Sequence, residues 1–317
     1  MNVYTSKGIC IQLKDRPLNK GGEGAVHLIP AMKNYCAKIY FPEKRTEDRH
    51  KKLKFMVSNP PSPLITNLYI ICWPVDVIYD INKQFLGFIM PLAFFGSELC
   101  YEICRMRLDE SLGVKWIYGY NRKSKKGFTN RLRLIVNIAS PLRKIHDMKK
   151  YVLVDFKPQN LLLTPDGRIS IIDLDSVQIC DGNNYYPCPV ATPEYMPPEI
   201  HRNPLLFKKP LDQTYDLFSV AVIFYQILFG LHPYIVTAKD GSITEISQLI
   251  SHELFAHGRY FHKIAVIPAP HRKFDLLPKE IQKLFKRAFD TNPNDRPSAN
   301  DWGKVIYSLI SILPPTQ

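Results

Sequence analysis

The stretch from Tyr151 to Asp175 constrains the chain more than any other. It places Asp155, Lys157 and Asn160 before a Pro-Asp-Gly turn and Asp173 after it. Because such a turn between two apolar runs is a strong hairpin signal, Asp173 is expected to fold back beside Asp155 and Asn160. Carboxylate and carboxamide oxygens are hard ligands suited to Mg²⁺, which divides its coordination between a few protein oxygens and substrate phosphates. The stretch therefore predicts a phosphoryl-transfer centre.

The first part of the chain has the pattern of an antiparallel sheet that carries one helix. Between two strand patterns lies the turn NKGGEG, whose glycines let an anion approach the backbone amides. Lys38 lies in the short apolar strand CAKIY, where a lysine should face a negative charge; an exposed strand edge is the alternative. A basic helix over residues 46–57 follows, with Thr46 as its N-cap. This first lobe is predicted to end near residue 91.

The chain beyond residue 91 is mostly helical in pattern. Amphipathic spacing predicts a helix over residues 132–148, which Pro141 should kink or restart. The apolar run Leu217–Leu231 is shorter than the roughly 20 residues that span a bilayer, so it predicts a buried helix. The basic segment NRKSKKGFTNR before residue 132 is predicted to be an exposed loop, with a docking patch as the alternative. The fold class is α+β, with lobes over residues 1–91 and 92–317.

The charge and the cysteines bear on partners and on location. The formal net charge of +13 favours anionic partners, although a solvated basic surface explains it as well. Nucleic-acid binding rests on this charge alone, because neither an aromatic-basic stacking pattern nor zinc-ligand spacing accompanies it. The seven cysteines form no C-x-x-C pair and the N-terminus lacks the apolar core of a signal peptide. We therefore expect a soluble, cytoplasmic protein with reduced thiols and no membrane span; its oligomeric state stays open.

Taken in order, the motifs resemble those of the eukaryotic-type protein kinase superfamily over about residues 10–312. NKGGEGAV is similar to the glycine-rich loop, CAKIY to the V-A-I-K strand, VDFKPQN to the catalytic loop, DLD to D-F-G and ATPEYMPPE to the end of the activation segment. KIYFPEKRT and IIDLDSVQI also resemble a bacterial Ser/Thr kinase branch found beside stress and tellurite-resistance genes. The resemblance implies a bilobal fold: a small antiparallel N-lobe sheet with one main helix, and a larger, mostly α-helical C-lobe.

The same resemblance implies an ATP-dependent kinase that uses Mg²⁺ or Mn²⁺ and phosphorylates Ser/Thr hydroxyls of a protein substrate. Asp155 would accept the hydroxyl proton, and Lys157 would stabilise the transferred phosphoryl group. Asn160 and Asp173 would be the metal ligands, and Lys38 would bind the α- and β-phosphates. The implied nucleotide-binding residues are Gly21, Gly22, Gly24, Val26, Ala37, Lys38, Met90, Leu92 and Leu162.

Three supporting contacts are also implied by the resemblance. Thr192 would support Asp155 from the activation segment. Glu199 would pair with Arg296, and Asp216 would brace the catalytic loop from the buried helix.

The chain departs from the family pattern at four places. Leu153-Val154 replaces the His-Arg of H-R-D, which argues against control by a phosphorylated activation loop, and Asn19 replaces the first loop glycine. Asp175 replaces the glycine of D-F-G and would add an oxygen near the metal. The acidic partner of Lys38 is ambiguous: Glu47 is preferred, but a plain role at a helix N-terminus suits it equally. These departures keep a second function open, a pseudokinase scaffold that binds nucleotide or a partner without transfer.

Overall fold

The computed structural model describes residues 1–312, which cluster into two compact units. The first unit consists of Met1–Phe95 together with Ser170–Asp175. The second consists of Gly96–Ile169 and the chain from Ser176 onward. The sequence predicts a boundary near residue 91 and gives no sign that Ser170–Asp175, after the central hairpin turn, pack with the first unit.

The first unit is built on an antiparallel sheet. Its strands are β1 (Asn2–Thr5), β2 (Cys10–Gln12), β3 (Asn19–Lys20), β4 (Gly24–Leu28), β5 (Tyr35–Tyr40), β6 (Tyr69–Ile71), β7 (Asp76–Tyr79) and β8 (Phe85–Pro91). All except β6 form one sheet in the order β2-β1-β7-β8-β5-β4-β3. The β1 strand was not predicted, and the exposed Leu18 lies between the separate strands β2 and β3. β6 lies apart from this sheet, and the Cys72 amide beyond it donates to the Ile171 carbonyl.

The alternation of side chains along β5 decides what the sheet presents on each face. Ala37 and Ile39 lie in the apolar core under one face. Because successive strand residues point to opposite faces, Cys36, Lys38 and Tyr40 occupy the other. β8 passes so close to this strand that a Cβ on Gly87 would lie 1.9 Å from the Lys38 carbonyl oxygen. Only glycine fits there, so the backbone that carries Lys38 is tightly held.

The helix α1 (Glu47–Ser58) packs beside β7 and β8. Thr46 is its N-cap, as predicted, and the Thr46 side chain accepts a hydrogen bond from the Arg49 amide. At the other end, the Trp73 indole donates to the Met56 carbonyl at 2.9 Å. The cap ends the helix at its first turn, and the bond from Trp73 anchors its last turn to the first unit.

The second unit is mostly helical. Its helices are α2 (Cys100–Cys104), α3 (Val114–Tyr120), α4 (Lys125–His146), α5 (Pro198–Arg202), α6 (Thr214–Phe229), α7 (Ile246–Ser251), α8 (Lys279–Phe289) and α9 (Ala299–Ile312). The short strands of the rest of the chain are β9 (Glu98–Leu99), β10 (Tyr151–Val152), β11 (Leu161–Leu163), β12 (Ile169–Ile171), β13 (Gln178–Cys180), β14 (Tyr185–Tyr186), β15 (Thr237–Ala238) and β16 (Ile264–Val266). Within this unit β9 pairs with β11, β13 with both β10 and β14, and β15 with β16.

The buried helix predicted from the apolar run is α6, which packs against α2, α4 and α8. It ends at Gly230, whose positive φ of 80° forms a left-handed C-cap. α4 contains Pro141, as expected, but it begins earlier than predicted. Ser124 caps it by accepting a hydrogen bond from the Gly127 amide, so much of the basic segment expected as a loop forms its first turns. The lysines there hid the helix start, because they interrupt the apolar period.

Two findings concern membranes and thiols. Across residues 1–312, every helix is either too short or too polar to cross a lipid bilayer. All seven cysteines are free thiols.

Candidate active site

Asp155, Lys157 and Thr192 of the second unit form a closed triangle of hydrogen bonds. The Lys157 ammonium donates to Asp155 Oδ2 at 2.7 Å, and the Thr192 hydroxyl donates to Asp155 Oδ1 at 2.6 Å. Lys157 also donates to Thr192 Oγ1 at 2.9 Å. The predicted contact between Thr192 and Asp155 is therefore present. Both carboxylate oxygens of Asp155 are oriented by neighbours, and only 9% of the residue is exposed.

A second carboxylate holds the backbone that leads into Asp155. Asp216, fully buried near the start of α6, accepts hydrogen bonds from the Leu153 amide at 2.7 Å and the Val154 amide at 2.9 Å. His146 Nε2 lies 3.1 Å from the same carboxylate. Val154 has a φ of 62°, which is strongly disfavoured for a β-branched residue. The bracing role expected of Asp216 is thus present, and it fixes a strained turn directly before Asp155.

Asn160 and the hairpin turn complete this part of the second unit. The Asn160 amide nitrogen donates to the Asp155 carbonyl at 2.8 Å, so its carboxamide oxygen is the atom left to meet a cation. Leu162 lies on β11, opposite Leu99. The predicted turn is present: the Gly167 amide, at a φ of 85°, donates to the Thr164 carbonyl. Asp173, on the far side of that turn, belongs to the first unit, unlike Asp155 and Asn160.

The predicted pair of Glu199 and Arg296 is also formed. Two guanidinium nitrogens of Arg296 donate to the two carboxylate oxygens of Glu199, each at 2.7 Å. Arg296 further donates to the Thr214 carbonyl at 3.0 Å, and the residue is 5% exposed. This bidentate pair ties the end of the activation segment to the start of α6.

In the first unit, Lys38 is bound by two aspartates of the segment that follows the hairpin. Its ammonium lies 3.3 Å from Asp173 Oδ1, and 2.9 and 3.0 Å from the two oxygens of Asp175. Burial lowers the pKa of Lys38, but the carboxylates of Asp175 and Asp173 outweigh burial and hold that pKa above its usual value. Lys38 therefore remains an ammonium although it is buried, and the predicted negative partner is present.

The carboxylate of Asp175 is enclosed and doubly bound. The Tyr40 hydroxyl donates to its Oδ2 at 2.5 Å. Burial acts to raise the pKa of Asp175, but Lys38 and the hydrogen bond from Tyr40 hold it below its usual value. By contrast, more than half of the Asp173 side chain is exposed. The oxygen that Asp175 was expected to add near a metal instead contacts Lys38.

The predicted pairing of Lys38 with Glu47 is not formed. The Glu47 carboxylate is mostly exposed and lies 3.6 Å from His50 and 3.8 Å from Lys51, along its own helix. Its position in the first turn favours the helix-dipole interpretation. Glu47 was preferred because the family pattern expects a helical glutamate as the partner of Lys38. No sequence signal reveals that Asp175, which is remote in the chain, contacts Lys38.

Instead of an acid, α1 contributes Arg49 to this region. One Arg49 nitrogen donates to Glu23 Oε1 at 2.6 Å, which ties the helix to the glycine-rich turn. The Arg49 guanidinium also lies over the Tyr40 ring, 4.5 Å from its centroid. Sequence reasoning did not single out any of these three residues. For Tyr40 a signal existed, since it lies two positions after Lys38 and so shares its strand face.

The three glycines of the turn have different physical roles. A Cβ on Gly21 or Gly22 would meet no other atom within 4 Å, so neighbouring atoms do not require glycine there. Approach of a ligand to the bare backbone does explain it. A Cβ on Gly24 would lie 2.2 Å from the Ile39 carbonyl oxygen, so this glycine serves the pairing of β4 with β5.

Of the predicted nucleotide-lining residues in the first unit, Ala37 does not share the strand face of Lys38. It is fully buried in the core, on the face of β5 opposite Lys38. Val26 pairs directly with Lys38 across β4 and β5, and Met90 pairs with Cys36, so both share the face of Lys38. Cys36, in place of Ala37, therefore shares the strand face of Lys38, as the two-residue period of the strand indicates. Leu92 follows β8, and its amide donates to the Asn34 carbonyl.

Comparison with known proteins identifies the family to which the chain is similar. The sequence profile of the protein kinase domain family matches residues 102–307, which is more than half of the chain. Protein kinase YegI of Escherichia coli is 26% identical over 321 residues, covering 98% of this chain and 46% of that protein. Serine/threonine-protein kinase 17A of Oryctolagus cuniculus is 28% identical over 159 residues, 49% of this chain and 34% of that protein. Serine/threonine-protein kinase Nek3 of Mus musculus is 29% identical over 189 residues, 58% of this chain and 32% of that protein. The chain thus spans less than half the length of these relatives.

Proposed function

The chain belongs to the protein kinase family, and on that premise we propose that it transfers the γ-phosphate of ATP to serine or threonine hydroxyls of a protein substrate. The observation that carries this proposal is the triangle of Asp155, Lys157 and Thr192. It presents a carboxylate with fixed orientation next to an ammonium, the two charges that a hydroxyl acceptor and a departing phosphoryl group require. Named relatives that are serine/threonine kinases support the acceptor class.

In this proposal the second unit handles the acceptor. Asp155 accepts the proton of the substrate hydroxyl, which raises the nucleophilicity of its oxygen as the bond to phosphorus forms. Lys157 lies within hydrogen-bonding distance of Asp155 and stabilises the negative charge on the transferring group. Asp216 keeps the strained Val154 turn in place, so that Asp155 does not reorient between turnovers.

The first unit handles the nucleotide. Lys38, held as an ammonium by carboxylates, binds the α- and β-phosphates, and the backbone amides around Gly21 and Gly22 cover them. Val26 and Met90, on the face of Lys38, line the adenine site together with Leu92 and Leu162. Cys36 takes the place that the sequence analysis gave to Ala37.

One oxygen donor of each unit suits a divalent cation by its chemistry. Asp173 offers a largely exposed carboxylate, and Asn160 offers the oxygen of an amide whose nitrogen is already bonded. Such hard oxygens suit Mg²⁺ or Mn²⁺, and we propose that these two residues hold it. The cation supplies neutralisation of the phosphate charge. The free thiols further support a reducing, cytoplasmic location.

Transfer of labelled phosphate from ATP tests the proposal. The full chain is incubated with Mg²⁺ or Mn²⁺ and with a basic and an acidic generic protein substrate, beside Asp155→Ala, Asp173→Ala and, as a matched control on an exposed site, Asp212→Ala. We expect transfer by the parent and the control, and loss of transfer in the two site variants. Binding of ATP without transfer would refute the proposal in favour of a pseudokinase scaffold.

A further inference from the structure

Lys38 has a charge partner that the family pattern does not supply. Both oxygens of Asp175 lie within 3.0 Å of its ammonium, whereas the acid of α1 considered for this role, Glu47, forms its ion pairs with His50 and Lys51 of its own helix. We propose that Asp175 is the positioning residue that holds Lys38 for the nucleotide phosphates, in place of an acid on α1. This inference rests on the proposed nucleotide site and extends it to a residue outside the expected set.

The surroundings of Asp175 are those of a structural anchor. Only 5% of the residue is exposed, and a buried carboxylate is tolerated when charges and hydrogen bonds satisfy it. Lys38 satisfies both of its oxygens, and the Tyr40 hydroxyl adds a bond to Oδ2. Because Lys38 and Tyr40 share one face of β5, the strand presents two donors to one carboxylate, which fixes the direction of the lysine side chain.

The two aspartates near Lys38 differ in accessibility, which separates their roles. The Asp173 side chain is 58% exposed and contacts Lys38 through one oxygen at 3.3 Å. The Asp175 side chain is 3% exposed and closer. A cation can therefore engage Asp173 while Asp175 remains with Lys38.

The arrangement also frees α1 from holding the lysine. Lys38 and Asp175 belong to β5 and to the segment Ser170–Asp175, so neither depends on an acid of the helix. What α1 does contribute is Arg49, bonded to Glu23 in the glycine-rich turn. In this protein Arg49 of the helix contacts the turn and the ring of Tyr40, while the negative charge next to Lys38 comes from outside the helix.

The experiment measures nucleotide binding by the full chain and does not depend on transfer. Calorimetric titration with ATP and with adenosine compares the parent with Asp175→Asn and with the matched control Glu47→Gln. Loss of a charge-assisted hydrogen bond to a buried ammonium predicts a rise of about 10- to 100-fold in the ATP dissociation constant of Asp175→Asn. The adenosine dissociation constant should not change, because Lys38 is assigned to the phosphates, and Glu47→Gln should bind ATP like the parent.

Either of two results would overturn the inference: parent-like ATP affinity in Asp175→Asn, or a tenfold loss in Glu47→Gln. If Asp175→Asn does not fold, Tyr40→Phe replaces it, since this variant removes only the hydroxyl that orients the carboxylate. Its ATP dissociation constant should rise about threefold or more with adenosine unchanged; no rise would equally overturn the inference. A parent that binds ATP but transfers no phosphate would refute the proposed function and leave the role of Asp175 intact.

Discussion

The contact between Asp216 and the catalytic loop gives the sharpest prediction on stability and activity together. Asp216→Asn keeps the size of the side chain but replaces one acceptor oxygen by an NH₂ group. In the parent, the Asp216 carboxylate accepts from the Leu153 and Val154 amides and lies 3.1 Å from His146 Nε2. The asparagine oxygen can accept from one of the two amides. Its NH₂ group would face the other amide, and because both groups are donors, no hydrogen bond can form there.

The magnitude follows from these bonds. A hydrogen bond to a charged group contributes about 1.5 to 3 kcal/mol, and a buried donor left without an acceptor costs about 1 to 3 kcal/mol. Strain at Val154, about 1 to 3 kcal/mol for a residue held in the left-handed region, adds nothing to this cost, because the parent carries it as well. We expect Asp216→Asn to lower the free energy of unfolding by about 3 kcal/mol, a large part of the roughly 5 to 15 kcal/mol of a typical domain.

Two assays measure the outcome. Guanidinium denaturation gives the free energy of unfolding of the parent, of Asp216→Asn and of Asp212→Asn, an exposed control whose side chain accepts a bond from the Thr214 amide. Phosphate transfer is measured well below the unfolding temperature, where we expect a loss of about tenfold or more because Asp155 directly follows Val154. A stability change below about 1 kcal/mol, or full activity in Asp216→Asn, would refute the reasoning.

Three further predictions concern other sites. Glu199→Gln leaves Arg296, which is 5% exposed, without its charge partner, so the free energy of unfolding in urea should fall by about 3 kcal/mol. The control Glu280→Gln, on an exposed helix surface, should leave this free energy unchanged. Burial lowers the pKa of His232 from 6.5 to about 4. The free energy of unfolding should therefore be highest above pH 6.5 and fall by about 3 kcal/mol as the pH is lowered towards 4. An equally steep pH dependence in His232→Gln would contradict this. Gly24→Ala should destabilise the first unit, because its Cβ would overlap a backbone carbonyl. Gly22→Ala should melt at the same temperature as the parent and bind ATP more weakly. Equal melting temperatures for the two variants would argue against this division of roles.

Much of the site could be predicted because its parts are local in sequence. Asp155, Lys157 and Asn160 lie within one loop, and their mutual contacts follow from their spacing. The buried helix α6 was evident from its apolar run, and Thr46 from the capping preference of threonine.

The parts that were missed depend on geometry between distant segments or on strand phase. The contact of Asp175 with Lys38 joins residues 137 positions apart, and the sequence offers Glu47 as an equally acidic candidate. The family resemblance placed Ala37 with the nucleotide, but Ala37 adjoins Lys38 on the strand, and adjacent strand residues face opposite sides. The start of α4 was missed since its first turns carry lysines, and the Ser124 cap outweighs the broken apolar period.

The first unit is discontinuous in sequence, and this limits how the protein can be dissected. A fragment that ends at Phe95 would lack Ser170–Asp175, and with it the acceptor for the Cys72 amide and both carboxylates that neutralise Lys38. Such a fragment would carry an uncompensated buried ammonium, so its behaviour would not report on the intact nucleotide site. The residues at positions 38, 40 and 175 therefore depend on one another. If one of them is replaced by the residue of a homologue, the site should be kept only when the other two positions are exchanged as well.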